Sequence, residues 1–150
     1  MRTALLTLVA CVLLTCGCAR LRTSPSPPQP AGPGVEAREI RYNAVLALLY
    51  RGSPRVKDEG VWEVLTEMLD EGQQLQSFQT HAGDGPTVPD ETGARMTVIG
   101  ALRAVRELHK KQPEIDLSGL KPSLEKLKES SNATVRTEAG QAVQALFPSP

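Results

Sequence analysis

Apolar and polar residues alternate along most of this chain with the period of an α-helix. Five segments place apolar residues three and four positions apart, which brings them onto one side of a helix. These segments predict helices over residues 35–50, 58–72, 92–111, 118–129 and 133–147. The low aromatic content of 3% and the many Ala and Leu residues also suit helices better than strands. The pattern therefore predicts an all-α domain.

Each predicted helix has an apolar stripe that we expect to face the core. Gly and Pro separate the first two helices, and Ser131 and Asn132 offer an N-terminal cap for the last one. The residues expected to face inward are Ile40, Ala44, Ala47 and Leu48 in the first helix, Val61, Val64, Leu65, Met68 and Leu69 in the second, and Leu117, Leu120, Leu124 and Leu127 in the fourth.

Three stretches repeat one pattern: an apolar residue, then Arg, then apolar residues four, seven and eight positions after the first. The copies begin at residues 40, 94 and 135, which are 54 and 41 residues apart, and the shorter spacing fits one helix pair per repeat. An Ala at the seventh step lets a neighbouring helix approach closely. The copies are Ile40, Arg41, Ala44, Ala47 and Leu48; Ala94, Arg95, Val98, Ala101 and Leu102; and Val135, Arg136, Ala139, Ala142 and Val143.

These stretches resemble the Val-Arg-x-x-Ala-x-x-Ala-Leu core in the first helix of HEAT repeats. The resemblance covers residues 36–147 and implies a short HEAT-like (armadillo-like) α-solenoid of about five helices, with a generic helical bundle as the alternative fold. HEAT proteins are binding scaffolds. In that family the motif arginine commonly forms a ladder with acidic groups of neighbouring repeats, which implies a structural role for Arg41, Arg95 and Arg136.

The N-terminus has the pattern of an export signal. Arg2 is followed by a nearly unbroken apolar run over residues 4–14, as in the charged and apolar regions of a signal peptide. The run is shorter than the roughly 20 apolar residues that a membrane-spanning helix needs. We therefore predict a signal peptide over residues 1–17.

The end of this signal resembles the lipobox of bacterial lipoproteins. Leu13-Leu14-Thr15-Cys16-Gly17-Cys18 places a small residue directly before Cys18, and the resemblance implies that Cys18 carries the lipid, with Cys16 as the alternative. A soluble secreted protein that is cut nearby is the other interpretation. The resemblance implies export and a lipid anchor in a bacterial membrane, facing the periplasm or the cell exterior. Each buried methylene of such an anchor contributes about 0.8 kcal/mol.

Residues 18–34 are rich in proline and predict a tether between the anchor and the folded domain. Proline favours extended polyproline II and leaves little to bury, so the segment acts as a spacer with a reach on the order of 40–50 Å. The helical domain then covers residues 35–150. Arg2, Arg20 and Arg22 precede this domain, so the domain itself has 14 basic and 17 acidic residues and a net charge of −3. A negative charge disfavours nucleic-acid binding.

The domain lacks the residue patterns of common catalytic and metal sites. All three cysteines lie within the first 18 residues, which excludes disulfides and cysteine zinc sites beyond them. The two histidines, His81 and His109, do not have the spacing of a metal or catalytic pair. Asp84, Asp90 and Glu91 do not follow the alternating calcium-loop pattern. We therefore predict no catalytic residue, no metal and no cofactor.

A long insertion separates the first two copies of the repeat. Residues 73–79 are rich in Gln, and residues 81–93 predict a loop, which is long enough to be functional. We expect a non-catalytic, membrane-tethered scaffold or adaptor that binds an unidentified protein partner. The alternative is a small-molecule binder or enzyme that uses residues 73–91 as a lid. The predicted contact residues are Trp62, Glu63, Glu67, Phe78 and Asp84, and a core position is the other interpretation of Trp62.

Overall fold

A computed structural model describes residues 33–81 and 85–148, except for the side chains of residues 33–36 and 81. The described residues belong to one compact unit, Ala31–Pro150. The predicted signal peptide, the lipidation candidates Cys16 and Cys18, the predicted tether up to residue 32 and the contact candidate Asp84 lie outside the described residues.

The described chain is mostly helical, which confirms the all-α class. Its six α-helices are α1 (Pro33–Arg51), α2 (Glu59–Met68), α3 (Glu71–Ser77), α4 (Glu91–Lys111), α5 (Lys121–Leu127) and α6 (Ala133–Leu146). Short 3₁₀ turns, Pro54–Lys57 and Ser118–Leu120, come before α2 and α5. Two strands, β1 (Gln79–His81) and β2 (Thr87–Pro89), form a small antiparallel hairpin.

Local signals in the sequence set the ends of these helices. Gly52 takes a φ of 67° after α1, a left-handed conformation that residues with a side chain rarely adopt. The side-chain oxygen of Asn132 accepts from the backbone N–H groups of Thr134 and Val135. Of the two predicted caps, Ser131 and Asn132, it is therefore Asn132 that caps α6. Asp90 caps α4 in the same manner by accepting from the backbone N–H of Gly93 at 2.9 Å.

Two predicted segments differ from the structure between the first two copies of the repeat. The single helix predicted over 58–72 is divided, because Asp70 leaves the helical conformation and its carboxylate accepts from the N–H of Gln73 to begin α3. The loop predicted over 81–93 is also wrong in part. Thr80 pairs with Val88 in the hairpin, and α4 already begins at Glu91.

Helix α4 is the centre of the packing. It contacts α1, α2, α3 and α6, and α5 packs against α6. The predicted stripes of α2, α4, α5 and α6 are confirmed, since nearly all their members are buried in one core cluster. The buried residues of α4 are Ala94, Val98, Ile99, Ala101, Leu102, Ala104, Val105 and Leu108.

The inward face predicted for α1 is wrong except for Leu48, which is partly buried against the core. Ile40 is 69% exposed, and Ala44 and Ala47 are also exposed, whereas Tyr42 and Leu49 lie in the core. Besides the residues of the motif, this helix has a second set of apolar residues on another side, formed by Tyr42, Val45 and Leu49. The side chains of that second face are larger and bury more apolar area, and free energy of burial scales with that area.

Candidate functional site

An open groove runs along one side of α2 and reaches the start of α3. It has a volume of about 510 Å³. Residues four positions apart lie on the same side of a helix. Trp62 therefore lies beside Thr66, and Glu63 lies beside Glu67. The lining residues are Trp62, Glu63, Thr66, Glu67, Asp70 and Gln73. The groove therefore combines three carboxylates with one indole ring.

The indole of Trp62 forms part of the wall of the groove. The side chain is half-buried, and a Cβ atom at Gly119 would lie 3.1 Å from its Cζ2 atom. The ring therefore rests against the turn before α5. Thr66 donates its hydroxyl to the backbone oxygen of Trp62 at 2.9 Å. The contact with the turn before α5 holds the ring in place while part of it stays accessible.

Glu67 is positioned by residues from α1 and α3. Its carboxylate accepts a hydrogen bond from the Tyr42 hydroxyl at 2.6 Å and lies 3.6 Å from the guanidinium of Arg41. Burial and the hydrogen bond to Glu67 raise the pKa of Tyr42 to about 12. Gln74 is fully buried and donates both to the Tyr42 hydroxyl and to the backbone oxygen of Glu67. This network fixes the inner wall of the groove.

The other two carboxylates face solvent. Asp70 caps α3 and lies 3.6 Å from the ammonium of Lys126. Glu63 is exposed and makes no ion pair within residues 33–81 and 85–148. Because two basic partners, Arg41 and Lys126, stand against three carboxylates, the groove keeps a net negative charge.

Phe78 lies outside this groove, although it belongs to the same set of predicted contact residues. Its ring lies 4.5 Å from the guanidinium carbon of Arg38, which also donates to the backbone oxygen of Ser77 at 2.8 Å. A Cβ atom at Gly93 would come within 2.9 Å of the ring. The structure thus brings Trp62, Glu63 and Glu67 together and places Phe78 in the packing between α1, α3 and α4.

The first half of the insertion is part of the helical core. Gln74 is buried with Tyr42, and the ring of Phe78 lies 4.5 Å from the guanidinium carbon of Arg38. Only the hairpin that follows is largely exposed. This arrangement gives little room for residues 73–78 to move as a lid, because their movement would expose Gln74 and Phe78.

The three motif arginines make three different contacts. Arg41 approaches Glu67 of α2, Arg95 pairs with Glu91 of its own helix at 2.7 Å, and Arg136 donates to the backbone oxygens of Ser130 and Ser131. No continuous ladder joins them in the described part of the chain. All three contacts are made within the domain, and Arg136 satisfies free carbonyl groups after α5.

An ion cluster between α4 and α6 has no signal in the sequence. Glu138 is 9% exposed and accepts hydrogen bonds from Arg103 and Arg106, and Arg106 also donates to Gln141. The hydrogen bond from Arg103, with the positive charge of both guanidinium groups, lowers the pKa of Glu138. The partners are 35 and 32 residues apart in the chain, so only the packing of the two helices brings them together.

The described residues contain no group of three or more His, Cys, Asp or Glu side chains that is suited to hold a metal ion. Of the carboxylates considered for calcium, Asp90 caps α4 and Glu91 pairs with Arg95.

Among the helices of the described residues, none has both the length and the apolar character that crossing a bilayer requires.

No protein-family model, curated protein or solved structure matches this chain. The groove on α2, with its negative charge and its indole, is the feature on which the proposed function rests.

Proposed function

We propose that this chain is a non-catalytic helical scaffold that binds a protein partner in the groove on α2. The observation that carries the proposal is the combination of Trp62 with the exposed carboxylate of Glu63 and the partly paired carboxylates of Glu67 and Asp70. Carboxylates attract Lys and Arg side chains, and an indole adds a cation–π contact. The partner segment that fits this groove is basic.

A short HEAT-like solenoid is the architecture we propose for the helical domain. Its support is the burial of nearly all the apolar members of the second and third copies of the repeat pattern, including Ala101 and Ala142, in the contacts of α4 and α6. Helices in such a stack present extended surfaces, and these suit partner binding better than enclosed chemistry. A generic helical bundle remains the alternative. The enzyme or small-molecule alternative has weaker support, because the first half of the proposed lid packs into the core.

We also propose that the chain is exported and anchored by lipid on Cys18, with Cys16 as the alternative acceptor. The support is the apolar run over residues 4–14 and the Gly17-Cys18 pair. Intact-mass measurement of protein extracted from membranes tests this directly, since the mass fixes both the cleavage site and the acyl groups. A mature chain without lipid, or a chain that keeps Met1, contradicts the proposal.

The groove is tested by fluorescence, because Trp62 is the only tryptophan in the chain. Titration with a lysine- and arginine-rich peptide should change the emission of the wild-type protein, whereas a glutamate-rich peptide should not. Replacing Glu63 by Lys reverses one charge in the groove and should weaken binding about tenfold, which is about 1.4 kcal/mol.

The matched control is Glu114→Lys, which makes the same charge reversal at an exposed position outside the groove. It should leave the affinity nearly unchanged. Equal loss in both variants would show that overall charge, and not the groove, attracts the peptide. The absence of any emission change in the wild-type protein would remove the groove as the binding site.

A further inference from the structure

A pocket of about 260 Å³ lies where α1, α2 and α4 meet. Its apolar lining comes from all three helices: Tyr42 and Leu46 of α1, Met68 of α2 and Met96 of α4. Tyr42 and Met68 belong to the core, and Leu46 packs against it. The packing of the three helices therefore fixes most of the wall, and the pocket exists without any change of conformation.

Met96 is the one apolar lining residue that is exposed. Its side chain is 60% exposed, whereas Met68 is fully buried. A methionine side chain is unbranched and has three rotatable bonds, so it adapts its shape to a neighbouring apolar group. An apolar group in the pocket would cover part of Met96, and the free energy of binding becomes more favourable with the apolar area removed from water. The pocket therefore suits a small apolar group.

The rim of the pocket is polar and carries a negative charge. Glu39 and Asn43 lie four positions apart on α1 and therefore share one side of that helix. Both are exposed, and within the described residues the Glu39 carboxylate makes no ion pair. Arg38 and Arg41 are close to Glu39 along α1, but their guanidinium groups contact α3 and α2. Glu39 is the only acidic residue that lines the pocket, so the rim keeps one negative charge.

The size and the polarity of the pocket together define the ligand. A volume of about 260 Å³ is below the roughly 300–1,000 Å³ of pockets for drug-sized ligands, so the ligand is small. The apolar lining suits a hydrocarbon chain. At the rim, a carboxylate and an amide oxygen accept hydrogen bonds from an ammonium group, which has three N–H donors. Glu39 would repel a carboxylate ligand, and a neutral alcohol would lack the charge-assisted hydrogen bond.

We propose that the pocket binds a small aliphatic ammonium ion, with its hydrocarbon chain against Met68 and Met96 and its charged end at Glu39 and Asn43. A linear primary amine of about six carbons has the required size. The site does not use residues 73–91 as a lid. It is also independent of the partner that the α2 groove binds, because the two share no lining residue.

NMR of the full chain with isotope-labelled methionine methyl groups tests the pocket directly. The chain has three methionines, and two of them, Met68 and Met96, line the pocket. Titration with hexylammonium should move both signals until they saturate. A ligand of this size reaches a Kd of about 1 mM, so the titration extends to about 10 mM. Hexanoate, which has the same chain length and a carboxylate in place of the ammonium, should bind about tenfold more weakly.

Glu39→Gln tests the charge at the rim while keeping the size of the side chain. It should weaken the binding of hexylammonium about tenfold and leave the binding of neutral hexanol unchanged. The matched control is Glu114→Gln, the same substitution at an exposed residue outside the pocket, which should leave both affinities unchanged. Met96→Gln tests the apolar wall and should weaken the binding of both ligands, with Met68 as the remaining reporter. Because Glu39 and Met96 are exposed, both variants should keep the helicity of the wild type.

A wild-type chain in which the Met68 and Met96 signals do not move overturns the proposal. So does hexanoate that binds as tightly as hexylammonium, or an equal loss in Glu39→Gln and Glu114→Gln. Glu63→Lys separates this site from the α2 groove, since it should weaken the binding of the basic peptide and leave the hexylammonium titration unchanged. A hexylammonium response that is lost in Glu63→Lys and kept in Glu39→Gln would assign the amine to the groove and overturn the pocket as its site.

Discussion

Replacing Glu138 by Gln measures what the ion cluster between α4 and α6 contributes to stability. The carboxylate is 9% exposed and accepts from Arg103 at 2.8 Å and 2.5 Å and from Arg106 at 2.6 Å. Breaking a fully buried ion pair costs about 3–5 kcal/mol, whereas a fully exposed pair contributes about 0–1 kcal/mol. The side chain of Arg103 is 54% exposed, so this cluster lies between the two limits. We expect Glu138→Gln to lower the free energy of unfolding by about 1–3 kcal/mol at pH 7.

The dependence of this loss on pH gives a second, independent measurement. The cluster lowers the pKa of Glu138 in the folded state relative to the unfolded chain. A lowered pKa contributes stability that is present above the pKa of the unfolded state and is lost as the pH falls through the folded value. The difference between wild type and Glu138→Gln should therefore be constant near neutral pH and shrink in acid. Urea unfolding followed by circular dichroism, repeated across that range, measures both quantities.

Glu107→Gln is the control, because Glu107 pairs with Lys110 on the surface of α4, the helix that carries Arg103 and Arg106. Solvent screens this pair, so its loss should have little effect. The reasoning is refuted if Glu138→Gln is no more damaging than the control, or if its cost stays the same down to the acid unfolding transition.

The buried and exposed copies of the repeat give opposite expectations for the same substitution. Ala139→Leu should lower the free energy of unfolding by about 1–3 kcal/mol through overpacking. Ala44→Leu should change it by no more than about 0.5 kcal/mol on dilute protein. Thermal melts in which Ala44→Leu is the more damaging substitution would contradict the placement of α1. Burial and the hydrogen bond to Glu67 raise the pKa of Tyr42 to about 12 in the folded state, above the usual 10, so its contribution is complete below pH 10 and disappears as the pH rises towards 12. Denaturant unfolding at alkaline pH should show this decline in the wild-type protein and a smaller one in Tyr42→Phe.

The sequence by itself determined much of the local structure of this domain. The starts of α4 and α6 and the end of α1 agree with prediction to within two residues, because Asn132 and Gly52 act on the backbone beside them. The stripes of the later helices were also predictable, since each has one clear apolar side. Trp62, Glu63 and Glu67 could also be placed on one surface, because their spacing along α2 decides which side of the helix they share.

Only the tertiary structure decided which side of α1 is buried. This helix has apolar side chains on two sides. The side with Val45 fills the space between α1 and the helices α2 and α4, and the side with Ala44 stays exposed. The inner wall of the groove, with Gln74 buried against Tyr42, depended on the same packing. The pairing of Glu138 with Arg103 joins residues 35 positions apart. Periodicity describes one helix at a time, whereas these contacts arise from the competition of several helices for the same core.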